Sequence, residues 1–186
     1  SSVWVSSDEP AGLSGNIEGV PHGMDVFGRA PSAPVGEYFR NNVWWWRPLA
    51  EFVCERYPEL AAGCEYWQSN DGDGLDEQTS IELAARLRAD LASGAVAEYE
   101  QAHTARLAAL PDETCRWCAG TGVRTDEVGV QMGLDRPRDP ETGRGGCNAC
   151  NGAGTHRPME ASYPFSAENV AEFAEFLAAC GGFRIC

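Results

Sequence analysis

Two short cysteine motifs constrain the fold of this chain more than any other feature of its sequence. Residues 115–122 and 147–154 share the pattern CxxCxGxG. Two thiolates at this spacing can hold one edge of a tetrahedral zinc ion, and a second pair can hold the other edge. The glycines allow the backbone to curl around the metal with its N–H groups toward the sulfurs. The predicted ligands of one zinc ion are Cys115, Cys118, Cys147 and Cys150.

The sulfur-only ligand set predicts a structural zinc. A catalytic zinc normally keeps one position open for water and has histidine or carboxylate among its ligands. Two other uses of the cysteines stay open at this point. A pair of disulfides would require an oxidising compartment, for which the chain offers no evidence. A metal-free CxxC pair could exchange disulfides, as in thioredoxin-like proteins.

The CxxCxGxG pattern resembles the cysteine-rich zinc region of DnaJ-type chaperones, in which two such repeats together hold one zinc ion. The resemblance covers only about residues 115–154. The chain has two repeats instead of four, has no J-domain with its His-Pro-Asp loop, and places 28 residues between Cys118 and Cys147. The resemblance therefore implies a zinc knuckle, and chaperone-like activity is kept as an alternative function.

The charge of the chain disfavours two classes of partner. Its 186 residues include 28 acidic residues against 14 arginines and no lysine, so the formal net charge is −14. Such a surface repels phosphate backbones and anionic lipids, and only an arginine-lined groove would revive nucleic-acid binding. No apolar run approaches the length of a membrane span, and no signal-peptide pattern opens the sequence. We therefore predict a reduced, cytoplasmic protein that binds neither membranes nor nucleic acid.

Hydrophobic spacing predicts an α+β, mainly helical domain with a short sheet and an inserted four-cysteine zinc hairpin. Asn41 or Asn42 caps a helix that runs to about Tyr57, which can accept Pro48 only in its first turn. Ser166 caps the last helix. Two further helices are predicted at 79–94, opening with a Thr79–Glu82 capping box, and at 95–110. The predicted strands are 3–5, 65–67 and 183–186.

The zinc motifs are predicted to interrupt one helical domain. Residues 1–23 are rich in Ser and Gly and are predicted to be an N-terminal extension or an irregular arm. Residues 24–111 form the first part of the helical domain, and residues 112–157 form the zinc insert. Residues 158–186 supply a helix and a strand that complete the helical domain.

A run of aromatic and basic residues between Tyr38 and Pro48 is the best candidate for a binding surface outside the insert. Successive residues of a helix point about 100° apart, so three consecutive tryptophans cannot share one face. Tryptophan and arginine often anchor binding sites and can stack on a nucleobase or aromatic ligand. At least one of the three tryptophans should therefore face outward or toward a second element, but the alternative that all three belong to the core is the favoured interpretation. The candidate binding residues are Arg40, Trp44, Trp45, Trp46 and Arg47.

The same segment, with the sequence YFRNNVWWWRPL, also carries a second resemblance. Together with Tyr163–Phe165 and Gly181–Phe183, it is similar to a family of uncharacterised bacterial and phage proteins. The likeness covers about residues 24–186 and implies no known activity. It does imply that residues 24–186 are the natural unit, and it makes a phage or prophage origin plausible.

Other polar residues give weaker signals. The loop Ser69–Glu77, which contains the acidic residues of Asp71–Glu77, resembles a calcium loop when Ser69 is counted as position 1. Position 1 then lacks a carboxylate, and position 12 falls on Ser80, where a bidentate glutamate is required. A tight turn before a helix explains the same residues. His156 follows the second motif and could orient a cysteine sulfur or replace one ligand, although a solvent-facing histidine on a hairpin is the favoured interpretation. His22 lies in the predicted extension, and His103 has no histidine or cysteine one helical turn away. No catalytic residue is predicted.

These observations predict a zinc-stabilised interaction or adaptor protein that contacts another protein and has no catalytic activity. The zinc insert and the tryptophan–arginine segment are the predicted contact regions. Two alternatives remain. The chain could be a chaperone-like or thiol-redox protein that uses the CxxC motifs, or a small-ligand or nucleotide-binding enzyme that uses the tryptophan–arginine segment.

Overall fold

The computed structural model describes residues 23–186, so the predicted strand 3–5 and nearly all of the predicted extension 1–23 lie outside the described residues. In the described range the predicted fold class is confirmed, because helices predominate and two small antiparallel sheets accompany them. The helices are α1 (Val43–Arg56), α2 (Pro58–Ala61), α3 (Glu77–Ser93), α4 (Ala95–Ala109), α5 (Glu127–Gln131) and α6 (Ala167–Ala179). The strands are β1 (Met24–Gly28), β2 (Tyr38–Asn41), β3 (Glu113–Thr114), β4 (Thr155–His156) and β5 (Phe183–Ile185).

The larger sheet joins the two ends of the described chain. Strand β1 lies between β2 and β5 and is antiparallel to both. Val26 of β1 pairs with Phe39 on one side and with Ile185 on the other, and all three side chains are buried. Because side chains alternate between the two faces of a strand, this register turns one face of the sheet toward the core. The closing strand predicted at 183–186 is confirmed, whereas β1 and β2 were not predicted.

Helix α6 forms the centre of the core. The Ser166 side chain accepts a hydrogen bond from the backbone N–H of Asn169 at 3.1 Å, which confirms the predicted cap. The helix packs against α3 and the sheet, and it buries a stripe that includes Val170, Phe173 and Leu177. These positions follow the three- and four-residue spacing of one helical face. Burying each large apolar side chain contributes about 1.5–3 kcal/mol relative to exposure.

Helix α1 begins where the sequence predicts and tolerates a proline where the prediction did not. Asn42 caps the helix by accepting a hydrogen bond from the backbone N–H of Trp45 at 3.1 Å. Pro48 lies beyond the first turn, so the expectation that it could only occupy that turn is wrong. Proline has no N–H to donate to the carbonyl of Trp44, and this loss is offset because the Pro48 ring is buried in the core.

The start of helix α3 differs from the predicted capping box. The cap is Asp76, whose Oδ1 accepts from the backbone N–H of Thr79 at 2.8 Å, so the helix begins at Glu77. Asp76 lies three residues before the predicted cap Thr79, and its carboxylate forms the capping bond instead. The strand predicted at 65–67 is also wrong. Asp73 accepts the backbone N–H groups of Glu65 and Tyr66, at 2.7 and 2.9 Å, and folds this segment into a turn.

Candidate metal centre

A short ladder brings the two ends of the cysteine segment together. Strands β3 and β4 pair antiparallel, with Thr114 opposite Thr155. Arg157, next to β4, donates hydrogen bonds to the carbonyl oxygens of Leu107 and Leu110, both at 2.6 Å. These carbonyls lie at the C-terminal end of α4, where an arginine also interacts favourably with the helix dipole. The ladder and this arginine therefore fix the base of the segment to the helical domain.

The structure brings the four predicted ligands into one buried cluster. The Sγ atoms all lie within 4.8 Å of one another. The Sγ atoms of Cys115 and Cys147 are 3.8 Å apart, and those of Cys118 and Cys150 are 3.7 Å apart. Zinc–sulfur bonds of about 2.3 Å place the sulfurs of a regular tetrahedron about 3.8 Å apart, whereas a disulfide requires about 2.0 Å. All four thiols are free. The cluster could therefore hold a metal ion such as zinc.

The two CxxCxGxG motifs fold alike and are joined by matching hydrogen bonds. The backbone N–H of Cys115 donates to the carbonyl of Gly154 at 2.9 Å, and that of Cys147 donates to the carbonyl of Gly122 at 2.7 Å. Within each motif the last glycine donates its N–H to a sulfur. Gly122 donates to Cys118 Sγ at 3.4 Å, and Gly154 donates to Cys150 Sγ at 3.2 Å. Donors to the ligand sulfurs stabilise the thiolate form that a metal requires.

The last glycine of each motif is required by a close backbone approach. A Cβ on Gly122 would lie 2.5 Å from the carbonyl oxygen of Gly152, and a Cβ on Gly154 would lie 2.4 Å from that of Gly120. Both glycines also have positive φ, at +78° and +81°. Only glycine meets both conditions without strain. The glycine positions of the motif thus allow the two knuckles to pack directly against each other.

The hydrogen-bond environment makes the thiols unequal. Burial alone would raise the pKa of Cys118, but the backbone N–H groups of Gly122 and Gly120 lower it to about 7. At Cys147 burial dominates and raises the pKa to about 11. A bound cation would stabilise the thiolates at both positions, since metal ions bind cysteine in its deprotonated form.

The four cysteines are the only buried hydrophobic side chains between Glu113 and Arg157, a range the structure describes throughout. They form a cluster separate from the main core, which includes Val96 before this range and Phe165 after it. A segment of this length therefore has no apolar core of its own. Its folding energy must come from another source, and a structural metal is the usual one in small units that lack a core.

The outer side of the first knuckle carries an exposed tryptophan between two arginines. Trp117 lies between the two cysteines of its motif and is 50% exposed. The guanidinium carbons of Arg124 and Arg116 lie 4.8 and 5.2 Å from the centre of its ring. Arg124 also donates three hydrogen bonds to the carboxylate of Asp126, at 2.8 to 3.0 Å. Sequence analysis did not single out Trp117. Because Cys115 and Cys118 must both face the metal, their positions in the motif could have indicated that Trp117 points outward.

The tryptophan–arginine segment divides between the core and two parts of the surface. Trp46 is fully buried and Trp45 is half-buried, whereas Trp44 is 39% exposed and its ring centre lies 5.0 Å from that of Tyr163. The expectation that at least one tryptophan faces outward is met, and the alternative that all three are core is wrong. Arg47 donates to the Tyr163 hydroxyl at 3.2 Å. Arg40 instead pairs with Asp25 on the sheet at 3.6 Å. Their role as a binding surface stays a prediction.

The histidines do not join the cysteine cluster. His103 is buried in α4, with Nε2 2.7 Å from the carbonyl oxygen of Tyr163 and Nδ1 3.0 Å from Nη2 of Arg106. Arginine can only donate, so Nδ1 accepts and Nε2 donates. His156 lies in β4 with its Nδ1 2.9 Å from the carbonyl oxygen of Arg157. His22 lies outside the described residues.

The acidic loop Asp71–Glu77 uses its carboxylates locally. Asp71 accepts from the hydroxyl of Ser69, and Asp73 and Asp76 accept backbone N–H groups of their own turn and helix. Among residues 23–186, the four-cysteine cluster is the one group of cysteine, histidine or acidic side chains placed to hold a metal ion. The tight-turn interpretation of this loop therefore explains its acidic residues.

No protein-family model, curated protein or solved structure matches this chain. The four-cysteine cluster is consistent with a zinc knuckle. The resemblances to DnaJ-type zinc regions and to bacterial and phage proteins accordingly rest on the quoted motifs alone. Over residues 23–186, none of the helices combines the length and apolar character needed to cross a membrane.

Proposed function

We propose that this protein binds one structural zinc ion through Cys115, Cys118, Cys147 and Cys150, and that the zinc-held segment binds another protein. The observation that carries the first part is the cysteine cluster itself, with cross-motif sulfur distances of 3.7 and 3.8 Å. Four thiolates fill a tetrahedral zinc and leave no position for a reacting water or substrate. The zinc would therefore act by holding the segment in one conformation.

The burial pattern supports a structural role for the metal. The segment 113–157 buries only its cysteines, while several of its apolar side chains are exposed. Zinc binding would supply the folding free energy that apolar burial does not, and the segment would lose its structure when the metal is removed. The helical domain has its own core and would stay folded.

The exposed side chains of the segment support a protein partner. Trp117 is held by two arginines, and Val128, Val130 and Met132 are also exposed. Large aromatic and arginine side chains supply most of the binding energy at the centres of protein interfaces. Because the contacts with Arg124 and Arg116 already orient the tryptophan ring, less conformational entropy would be lost on binding.

The metal is tested on protein purified without added zinc. Metal analysis is expected to give one zinc per chain, and chelation is expected to expose four thiols together. A metal-free protein whose CxxC pairs are oxidised would overturn the zinc site and favour the thiol-redox alternative.

Partner binding is tested by immobilising the wild type and the Trp117→Ala variant and comparing the proteins that each retains. Each candidate partner is then purified and its direct binding to both is measured. Tyr66→Ala is the matched control, since it removes an exposed aromatic side chain from the helical domain outside both predicted contact regions. A direct partner lost with Trp117→Ala and kept with Tyr66→Ala supports the proposal. Partners that are equally retained by both variants would contradict it.

A further inference from the structure

The loop between the two knuckles forms a cavity of about 420 Å³ that is open to solvent and has three arginines in its lining. It lies on the segment 132–148, beside the second cysteine motif, and no acidic residue lines it. Its lining also includes Asn148 and four glycines, and the three arginines are exposed. The arginines are Arg136, Arg138 and Arg144.

These three arginines have no ion-pair partner, in contrast to two others of the insert. Arg124 pairs with Asp126 at 2.8 Å, and Arg157 pairs with Asp112 at 3.1 Å. Among the described residues, no carboxylate lies within ion-pair distance of the cavity arginines, and their guanidinium groups donate no hydrogen bond. Three positive charges around one cavity repel each other, and an anion between them would remove that repulsion.

Asp139 lies in the same loop, and its carboxylate accepts hydrogen bonds from the turn that follows it. Oδ1 of Asp139 accepts the backbone N–H groups of Glu141 and Thr142, at 2.8 and 3.3 Å. The pKa of Asp139 is lowered first by the Thr142 hydroxyl and then by these N–H groups. Its charge therefore stabilises the turn that follows it, and it acts through space on Arg136 alone of the three arginines, without lining the cavity.

Hydrogen bonds within the loop fix its backbone and leave the N–H of Gly145 as a donor for a ligand. Gly146 donates its N–H to the carbonyl of Arg136 at 2.7 Å, and Gly143 donates to the carbonyl of Asp139 at 2.8 Å. Gly145 lies between them with φ +78° and is buried, and its N–H has no acceptor among residues 23–186. Loops of glycines with positive φ present N–H groups that bind anions.

We propose that this cavity binds a single phosphate monoester group, held by Arg136, Arg138, Arg144 and the N–H of Gly145. Guanidinium groups match the oxygens of a phosphate with paired hydrogen bonds, and a buried N–H adds a donor without a charge. The phosphate can belong to a small metabolite or to a phosphorylated side chain. In the second case the inference rests on the proposed function, because the phosphate would be carried by the protein partner.

The charge distribution favours one phosphate group over a nucleic-acid strand. Residues 112–157 contain seven acidic residues and six arginines, so nearly all of the net charge of −14 lies elsewhere in the chain. A strand bound at the cavity would carry further phosphates toward this acidic domain and would be repelled. A compact ligand that ends at the cavity avoids that cost.

The proposal is tested by isothermal titration of the zinc-loaded protein with orthophosphate, a sugar phosphate, a phosphoserine peptide and its unphosphorylated form. We expect the wild type to bind phosphate saturably. We expect the affinity for phosphate to fall by about tenfold or more in Arg144→Gln and in Arg136→Gln, because each removes a charged donor to the phosphate oxygens. Arg88→Gln is the matched control, because Arg88 is an exposed arginine of α3 that lies outside the cavity. The compound that binds more tightly than orthophosphate identifies the source of the phosphate group, a small metabolite for the sugar phosphate or a phosphorylated protein for the phosphoserine peptide.

Zinc content, measured on each variant, separates this test from that of the proposed function. Arginine variants that keep one zinc but lose phosphate support the cavity, whereas a wild type that holds zinc and binds no phosphate overturns it. Equal losses in the Arg88→Gln control would also overturn it, because they would indicate a general charge effect. Tighter binding of single-stranded DNA, with affinity falling steeply as salt rises, would replace it by a nucleic-acid surface.

Discussion

The packing of one knuckle against the other predicts a large difference between two glycine substitutions in the same insert. Gly154 and Gly133 both have positive φ, at +81° and +69°. Alanine at either position therefore carries a similar backbone cost of about 1–2 kcal/mol. The surroundings differ. A Cβ on Gly154 would lie 2.4 Å from the carbonyl oxygen of Gly120, whereas a Cβ on Gly133 would have its nearest contact, a side-chain nitrogen of Arg136, at 3.7 Å.

The size of the effect follows from these distances. Ordinary contact for a Cβ begins at 3.4 Å, so Gly154→Ala must move the two knuckles apart by about 1 Å. Sulfurs that lie 3.7 and 3.8 Å apart across the motifs cannot all keep zinc bonds of about 2.3 Å after such a movement. Disturbing the groups around metal ligands typically weakens metal binding by about 10–100-fold, and we expect Gly154→Ala to fall in this range.

Competition with a chromogenic chelator measures the zinc affinity of both variants. Gly133→Ala is expected to weaken zinc binding less than Gly154→Ala, because it carries only the backbone cost and its added methyl group has no close contact. Circular dichroism checks that the helical domain is folded in both. Equal zinc affinities for Gly154→Ala and Gly133→Ala would refute the close packing of the knuckles as the reason for the last glycine of the motif.

Two further predictions concern the helical domain. Trp46→Phe replaces a fully buried indole by a smaller ring and removes the hydrogen bond of 2.7 Å from Nε1 to the carbonyl of Trp67. Urea unfolding should show that the free energy of unfolding falls by about 2–4 kcal/mol. Trp44→Phe, at an exposed position, should cost less than about 1 kcal/mol, and equal costs would contradict this account of the core. The pKa of Asp90 in the folded protein is lowered chiefly by its hydrogen bond from Arg56. The Asp90 carboxylate therefore contributes its full stabilisation above the unfolded pKa of about 4. This stabilisation is lost as the pH falls through the folded pKa. Asp90→Asn should therefore lose less stability than wild type between about pH 5 and pH 2, and parallel pH profiles would remove this pair from the account.

The cysteine cluster could be predicted from the sequence because the ligand spacing is local. Each CxxC pair brings two sulfurs together locally, and the repeat of the motif after 28 residues indicated that the two pairs share one metal ion. The caps at Asn42 and Ser166 were predictable for the same reason, since a side chain and an N–H three residues later form the bond.

Features that depend on contacts between distant residues could not be predicted. Strands β1 and β2 are separated by a proline-containing loop, and β1 is completed by β5 at the end of the chain. Nothing local indicates that pairing. The choice of Asp76 over Thr79 as the cap of α3 depends on where the preceding loop places the chain.

The detailed form of the insert depends on long-range contacts as well. The contact between Gly154 and Gly120, and the convergence of Arg136, Arg138 and Arg144 on one cavity, arise only when the loop closes. An arginine-lined groove was named only as the condition that would revive nucleic-acid binding, and the cavity itself was not predicted.

The central claim is that four thiolates hold one zinc ion in a closed structural site. X-ray absorption at the zinc edge of the purified protein tests it most directly. The account predicts a single shell of four sulfurs at about 2.3 Å from zinc. A shell that contains nitrogen or oxygen at about 2.0–2.1 Å, or a protein that retains no zinc, would contradict the account.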